Sequence, residues 1–177
     1  MDNLITISDI KQYKDIGSKT GKTDTDKITP IITMAQSVDL QDFLGTTFYF
    51  DVMNNLENPV YQPLLSGSLF TVGTVTYYQE GLKALLCDLF MSRFVLQVNT
   101  NITPFGATTK ASQDSTPTDR NTLKDIAHQQ KEMAAAKWSI IKLYLDNNTQ
   151  IFKKWGINNT CAVNNPSGER RRFSVIK

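Results

Sequence analysis

Along most of the chain, apolar residues recur three and four positions apart, and polar runs rich in Gly, Thr, Asn and Pro separate these stretches. That spacing puts the apolar side chains on one face of a helix, so the pattern predicts amphipathic helices joined by loops. Ser8 is placed to cap a short helix through Asp9, Ile10 and Tyr13. Thr29-Pro30 marks a stronger start, with threonine as cap and proline at the first helical position, and Ile31, Met34, Ala35 and Val38 then form one inward stripe. Asp39 to Gly45 adds a turn of helix stopped by its glycine, and Phe48 to Leu56 gives another short helix before Asn58-Pro59. The strongest helix opens at Gly81, with Leu82, Leu85, Leu86, Leu89, Phe90 and Phe94 at helical spacing. A last long helix is expected from Thr116-Pro117-Thr118-Asp119 to about Asn147, its inner side carrying Leu123, Ile126, Ala127, Ala134, Trp138, Ile141 and Leu145. Ile151 to Trp155 adds an amphipathic turn before Gly156.

Three stretches break the helical rhythm. Leu69 to Tyr78 is rich in β-branched and aromatic residues around Gly73 and predicts a hairpin. A lone hairpin is marginal in water, so it must lie on helices or join strands of another chain. Val98 to Ser115 turns to Asn, Thr, Ser, Gly and Pro and predicts a long loop, whose Phe105 needs burial somewhere. The tail from Asn158 is polar until Phe173-Ser174-Val175-Ile176, a β-prone end that reads as an arm adding a strand to another subunit. The predicted fold is therefore mainly α: a helical bundle with a small hairpin near 69–78 and an extended terminal arm. The domain spans 1–155 and the arm 156–177.

Composition narrows the function classes. The chain has 177 residues, of which 40% are hydrophobic and 20% charged, enough for one domain with a real core. A net charge of +2 is too small to argue for nucleic acid or an anionic membrane by itself. Arg170, Arg171 and Arg172 concentrate charge near the carboxyl end. No apolar run has the length of a membrane span, and Met1-Asp2-Asn3-Leu4 lacks a signal pattern, so folding in the cytoplasm is expected. Cys87, within an apolar helix, and Cys161, in the tail, do not make a disulfide framework.

Candidate chemistry is sparse. Gly17-Ser18-Lys19-Thr20-Gly21-Lys22-Thr23 looks like a phosphate-binding loop, but Ile16 stands where the first glycine is required and no buried strand precedes it. It reads as a polar connector. The one histidine, His128, has Gln129 and Gln130 beside it, which are poor metal ligands, so no metal and no cofactor is expected. Cys87 lies where thiol reactivity is suppressed. Asp39 and Asp42 lie one turn apart and read as helix-start acids. Tyr77 and Tyr78, with Lys83 and Arg93, suggest a stacking surface for single strands, yet Glu80 and Asp88 interleave and no basic face emerges. No catalytic set is expected.

The order of elements carries a resemblance. It runs from Ile5-Thr6-Ile7-Ser8-Asp9-Ile10-Lys11-Gln12-Tyr13, through Ile31-Ile32-Thr33-Met34-Ala35-Gln36, Asp39-Leu40 and Leu44-Gly45, to the hairpin after Gly67 and Gly81-Leu82-Lys83. Arg93-Phe94-Val95, Thr103-Pro104-Phe105-Gly106 and Ser115-Thr116-Pro117 follow before the final helix. This resembles small virion proteins of tailed phages of Bacteroides-type hosts, crAss-like phages included, similar to the head-to-tail connectors that form a ring beneath the portal. The resemblance extends to about Leu145. It implies a structural, non-enzymatic subunit of a homo-oligomeric, dodecameric ring at the head-tail junction of the virion. Its partners would be the portal protein and neighbouring tail or ring proteins, with DNA passing through without specific binding. Contact residues on this reading are Phe70, Tyr77, Tyr78, Phe105, Arg170, Arg171, Arg172 and Phe173. Two other readings are a nucleic-acid-binding adaptor in phage DNA packaging, using Lys83, Arg93 and the arginine cluster, and a small enzyme with Cys87 as nucleophile and His128 as base.

Overall fold

A computed structural model describes residues 3–14, 16, 22–97, 100–103, 106–109, 119–155 and 157. Its described elements are helix α1 (Ile7–Tyr13), α2 (Lys22–Met34), a π-helical turn (Ala35–Leu40), α3 (Gln41–Leu44), α4 (Thr46–Met53), α5 (Gln62–Ser66), strands β1 (Ser68–Val72) and β2 (Val75–Gln79), α6 (Gly81–Gln97), strands β3 (Thr100–Thr103) and β4 (Gly106–Thr109), and α7 (Arg120–Asn147). The fold is mainly α with a small β-hairpin.

Helix α6 is the centre of the molecule. Leu82, Leu85, Leu86, Leu89 and Phe90 are buried as the periodicity predicts, and so are Ala84, Cys87, Asp88 and Ser92, so the helix is enclosed on nearly every side over its first ten residues, while Phe94, expected on the same stripe, is only half-buried. It packs on α7, α5, α1, α2 and the π turn. Helix α7 faces it with Ala127, Ala134, Ile141, Tyr144 and Leu145. At the far end the chain turns back to seat Phe152 and Trp155 in an aromatic cluster. Phe152 meets Phe48 at 6.0 Å and Tyr61 at 5.4 Å, and Trp155 meets Phe48 at 5.5 Å and Trp138 at 5.7 Å. The buried Asp51 accepts a hydrogen bond from Tyr61 Oη at 2.5 Å and pairs with Lys154 at 2.6 Å, which ties this closing turn to α4.

Several boundaries differ from those the sequence predicts. The first helix is capped by Thr6 rather than Ser8: the Thr6 hydroxyl accepts from the Asp9 amide at 3.2 Å, and the Asp9 carboxylate takes the Thr6 amide at 2.8 Å, a reciprocal capping box. Helix α2 opens at Lys22, not at Thr29-Pro30, and Pro30 lies inside it. Ile28 explains the extension, because it shares the buried face with Ile31, Ile32 and Ala35 and burying it requires helix upstream of the proline. Pro30 faces solvent, where the loss of one helical N–H is least costly. Because Ile28 and Ile32 set the inner face, Met34 and Val38 are exposed, against expectation. The wider π turn then brings Leu40 inward and leaves Asp39 at the flank.

Gly17 to Gly21 lie outside the described residues. A helix does follow them, but the element before is α1, a helix rather than a strand, so the strand-loop-helix setting of a phosphate loop is not formed. Part of the predicted Val98 to Ser115 loop is instead a second antiparallel hairpin, β3–β4, in register Thr100 with Thr109. The β-branched Thr and Ile positions there favour strands. Helix α7 is capped by Asp119, whose side chain accepts from the Asn121 amide at 2.9 Å, so the helix begins later than Thr116-Pro117. The expected terminal arm, residues 156–177, lies outside the described residues apart from Ile157, and so does Phe105.

Candidate interaction surface

The β1–β2 hairpin is rooted in the core at its open end. Gly67 (φ 98°) leads into β1 and Gly81 (φ 89°) leads out of β2, both in the left-handed region that side chains avoid. A Cβ on Gly81 would lie 2.5 Å from the Leu65 carbonyl oxygen, and one on Gly67 would lie 2.8 Å from the Gln79 oxygen, so the two backbones cross with no room for a side chain. Buried Gln79 donates from Nε2 to Pro63 O at 2.5 Å and to Ser68 Oγ at 3.1 Å, fixing the crossing. Gly73 (φ 62°) closes the other end, the position a two-residue hairpin reserves for glycine.

The register sorts the side chains. Phe70 pairs with Tyr77 on the face toward α7, and Leu69 pairs with Tyr78 on the opposite face. Phe70 stacks on Tyr77 at 5.6 Å and meets Tyr144 edge-on at 5.3 Å, which seals the inner face. The outer face carries Leu69, 70% exposed, and Tyr78, 58% exposed, followed by Thr71 and Thr76, whose hydroxyls lie 3.3 Å apart. A leucine and a tyrosine thus stand side by side in solvent on a rigidly held strand pair.

Beneath the hairpin lies a buried ionic cluster. Asp88, fully buried on α6, takes Lys14 on one oxygen at 2.6 Å and Lys137 on the other at 3.0 Å. Lys137 also pairs with Glu80 at 2.9 Å, at the exit of β2, and Lys14 donates to Gln130 at 2.8 Å. The cluster therefore ties α1, the hairpin exit, α6 and α7 together. An uncompensated charge there would be costly, and each cation offsets the carboxylate. Burial raises the Lys14–Asp88–Lys137 neighbour Cys87 to about 12, with the Asp88 and Asp9 charges adding to the shift. For Lys137, burial alone would lower the ammonium pKa, but bonds to Glu80 and Asp88 outweigh it and the net shift is upward.

The sequence-predicted site residues divide accordingly. Tyr78 is on the outer face, Tyr77 is half-buried, and Phe70 is buried in the chain's own core. Phe105, Arg170, Arg171, Arg172 and Phe173 lie outside the described residues. Cys87 is enclosed within α6 while His128 is exposed on α7 beside Glu132 at 3.7 Å. Arg93 is committed to Asp39 through two contacts of 2.5 and 2.7 Å, and Lys83 stands 3.9 Å from Asp9, so neither presents an unopposed charge. Asp42 is exposed and apart from that pair. Among the described residues no group of three His, Cys, Asp or Glu could hold a metal ion, and no helix is long and apolar enough to cross a membrane.

Sequence reasoning missed Leu69 as a surface residue and Asp88, Lys14 and Lys137 as one cluster. Leu69 was accessible through the register, since a two-residue turn at Gly73-Thr74 sets it opposite Tyr78. Asp88, a carboxylate between Leu85 and Leu89 in an otherwise apolar helix, signals a buried partner but does not name it.

No curated protein and no solved structure matches the chain. The profile of DUF6712, a family of unknown function, matches residues 40–165. That match takes in everything from the end of the π turn through the hairpin, α6 and α7 to the aromatic closing turn, and the chain belongs to the DUF6712 family.

Proposed function

We propose that the chain is a structural subunit of a head-to-tail connector ring, seated beneath the portal of a tailed phage and framing the passage for DNA. The observation that carries this reading is the hairpin: a rigid strand pair whose outer face sets Leu69 and Tyr78 in solvent. Exposed apolar groups on a rooted β-edge are a liability for an isolated molecule and an asset where a neighbour covers them. In a cyclic head-to-tail assembly every subunit presents two different surfaces, so such a hairpin on one meets a complementary face on the next. The sequence resemblance to connector proteins supports the same reading. On it the helices are the rigid body, the subunit does no chemistry, and the hairpin is the element that grips.

Quantitative mass spectrometry of purified particles of the phage encoding this chain tests the proposal. A small fixed ratio to the portal protein is the expected result. Absence from intact particles sinks it.

A further inference from the structure

The two edges of the hairpin are not equivalent. In an antiparallel pair closed by a two-residue turn, alternate residues direct their N–H and C=O groups away from the partner strand. With Val72 opposite Val75, those residues are Leu69 and Thr71 on β1 and Thr76 and Tyr78 on β2. On the β1 edge one outward group is taken, because Asn147 at the end of α7 donates to the Thr71 carbonyl at 3.4 Å. The β2 edge has no strand beside it among the described residues. We propose that this edge takes Phe173-Ser174-Val175-Ile176 of a neighbouring copy of the chain as a third, antiparallel strand; the choice of a neighbouring copy rests on the ring reading above.

Three observations favour that occupant. Phe173, Val175 and Ile176 are aromatic and β-branched, the residue types that pack well on a pleated surface, and alternation lets one pair of side chains extend the Leu69 and Tyr78 face. The antiparallel sense runs the preceding Arg170, Arg171 and Arg172 past the exit of β2, where Glu80 is 45% exposed and engages only one cation among the described residues. Reach is sufficient: about 15 residues separate Ile157 from Phe173. Extended, they span on the order of 50 Å, more than the roughly 40 Å width of a domain of this size.

Amide exchange by NMR on the full chain, compared at low micromolar and millimolar concentration, tests the pairing. The Thr76 and Tyr78 amides are expected to slow at least tenfold as concentration rises. They should stay fast in the Val175→Pro variant, which cannot donate from that position, and slow again when a peptide of residues Gly168 to Lys177 is added to it. Protection that does not change with concentration would mean the chain pairs with its own tail, and the proposal falls. No protection even with saturating peptide also overturns it. If the chain is present in virions at a fixed ratio to portal but the amides stay fast, the pairing is wrong while the ring reading stands. If pairing occurs between copies but virions lack the chain, the ring reading fails alone.

Discussion

At the level of single residues, Asp88 and Gly81 hold the most. Asp88 is fully enclosed and neutralised by Lys14 and Lys137. Asp88→Ala leaves two ammonium groups facing each other across a vacated site and should cost about 3–5 kcal/mol, read as a fall in the urea midpoint. Replacing the set together, Asp88→Leu with Lys14→Met and Lys137→Met, should recover most of that loss, because the desolvation of three charges disappears with their attraction. A triple variant no better than the single one would show that the network does more than neutralise itself. Gly81→Ala meets both a left-handed backbone and the Leu65 carbonyl at 2.5 Å, and should cost more than about 2 kcal/mol. Gly73→Ala, with φ 62° but open space around it, should cost less, and the order of the two midpoints is the check.

Elements test whether packing or exposure governs each face. Thr6→Ala removes the hydroxyl that accepts the Asp9 amide and should destabilise α1 by about 1 kcal/mol; adding Asp9→Ala should cost less than its share, since the two caps serve each other. On the hairpin, Phe70→Ala opens a hole against Tyr77 and Tyr144 and should cost about 3–5 kcal/mol, whereas Leu69→Ser should leave the midpoint within about 0.5 kcal/mol. Equal losses at both positions would mean the outer face is covered within a single chain. These elements also show what the sequence could reveal. The hairpin, α6 and the inner stripe of α7 were legible because their apolar periods are strong and local. The reach of α2 was not, because a proline after threonine looks like a start and only the tertiary burial of Ile28 reveals otherwise. The π turn was equally hidden, since one extra residue per turn leaves no mark in composition. The β3–β4 hairpin was masked by turn-forming residues around short Thr-rich strands. Asp88 was visible as an oddity, but its partners come from helices 74 and 49 positions away. No local pattern encodes such a meeting.

For the whole molecule, the enclosure of α6 has a consequence at alkaline pH. Burial pushes the Cys87 thiol from an ordinary 9.0 up to about 12, and burial likewise raises the Tyr13 and Tyr144 phenols. Lys137 is raised by its carboxylate partners. Each of these groups holds its proton more tightly folded than unfolded, so each contributes stability that is complete below its unfolded pKa and is lost as pH climbs toward the folded one. Stability should therefore decline from about pH 9 upward, with Cys87 alone contributing a slope of up to about 1.4 kcal/mol per pH unit. Asp9 behaves oppositely: burial would raise it, but the Thr6 hydroxyl and amide bonds, with Lys83, pull it below its ordinary value, so its contribution is lost only as pH falls through the acid range. Urea midpoints measured between pH 8 and 11 on the chain and on Cys87→Ala decide the matter. The variant should start less stable, having lost a buried side chain, and then decline less steeply, so that the two curves converge as pH rises. Parallel curves would mean that the thiol opens to solvent before it titrates, and that α6 is less firmly enclosed than its packing against α1, α5 and α7 implies.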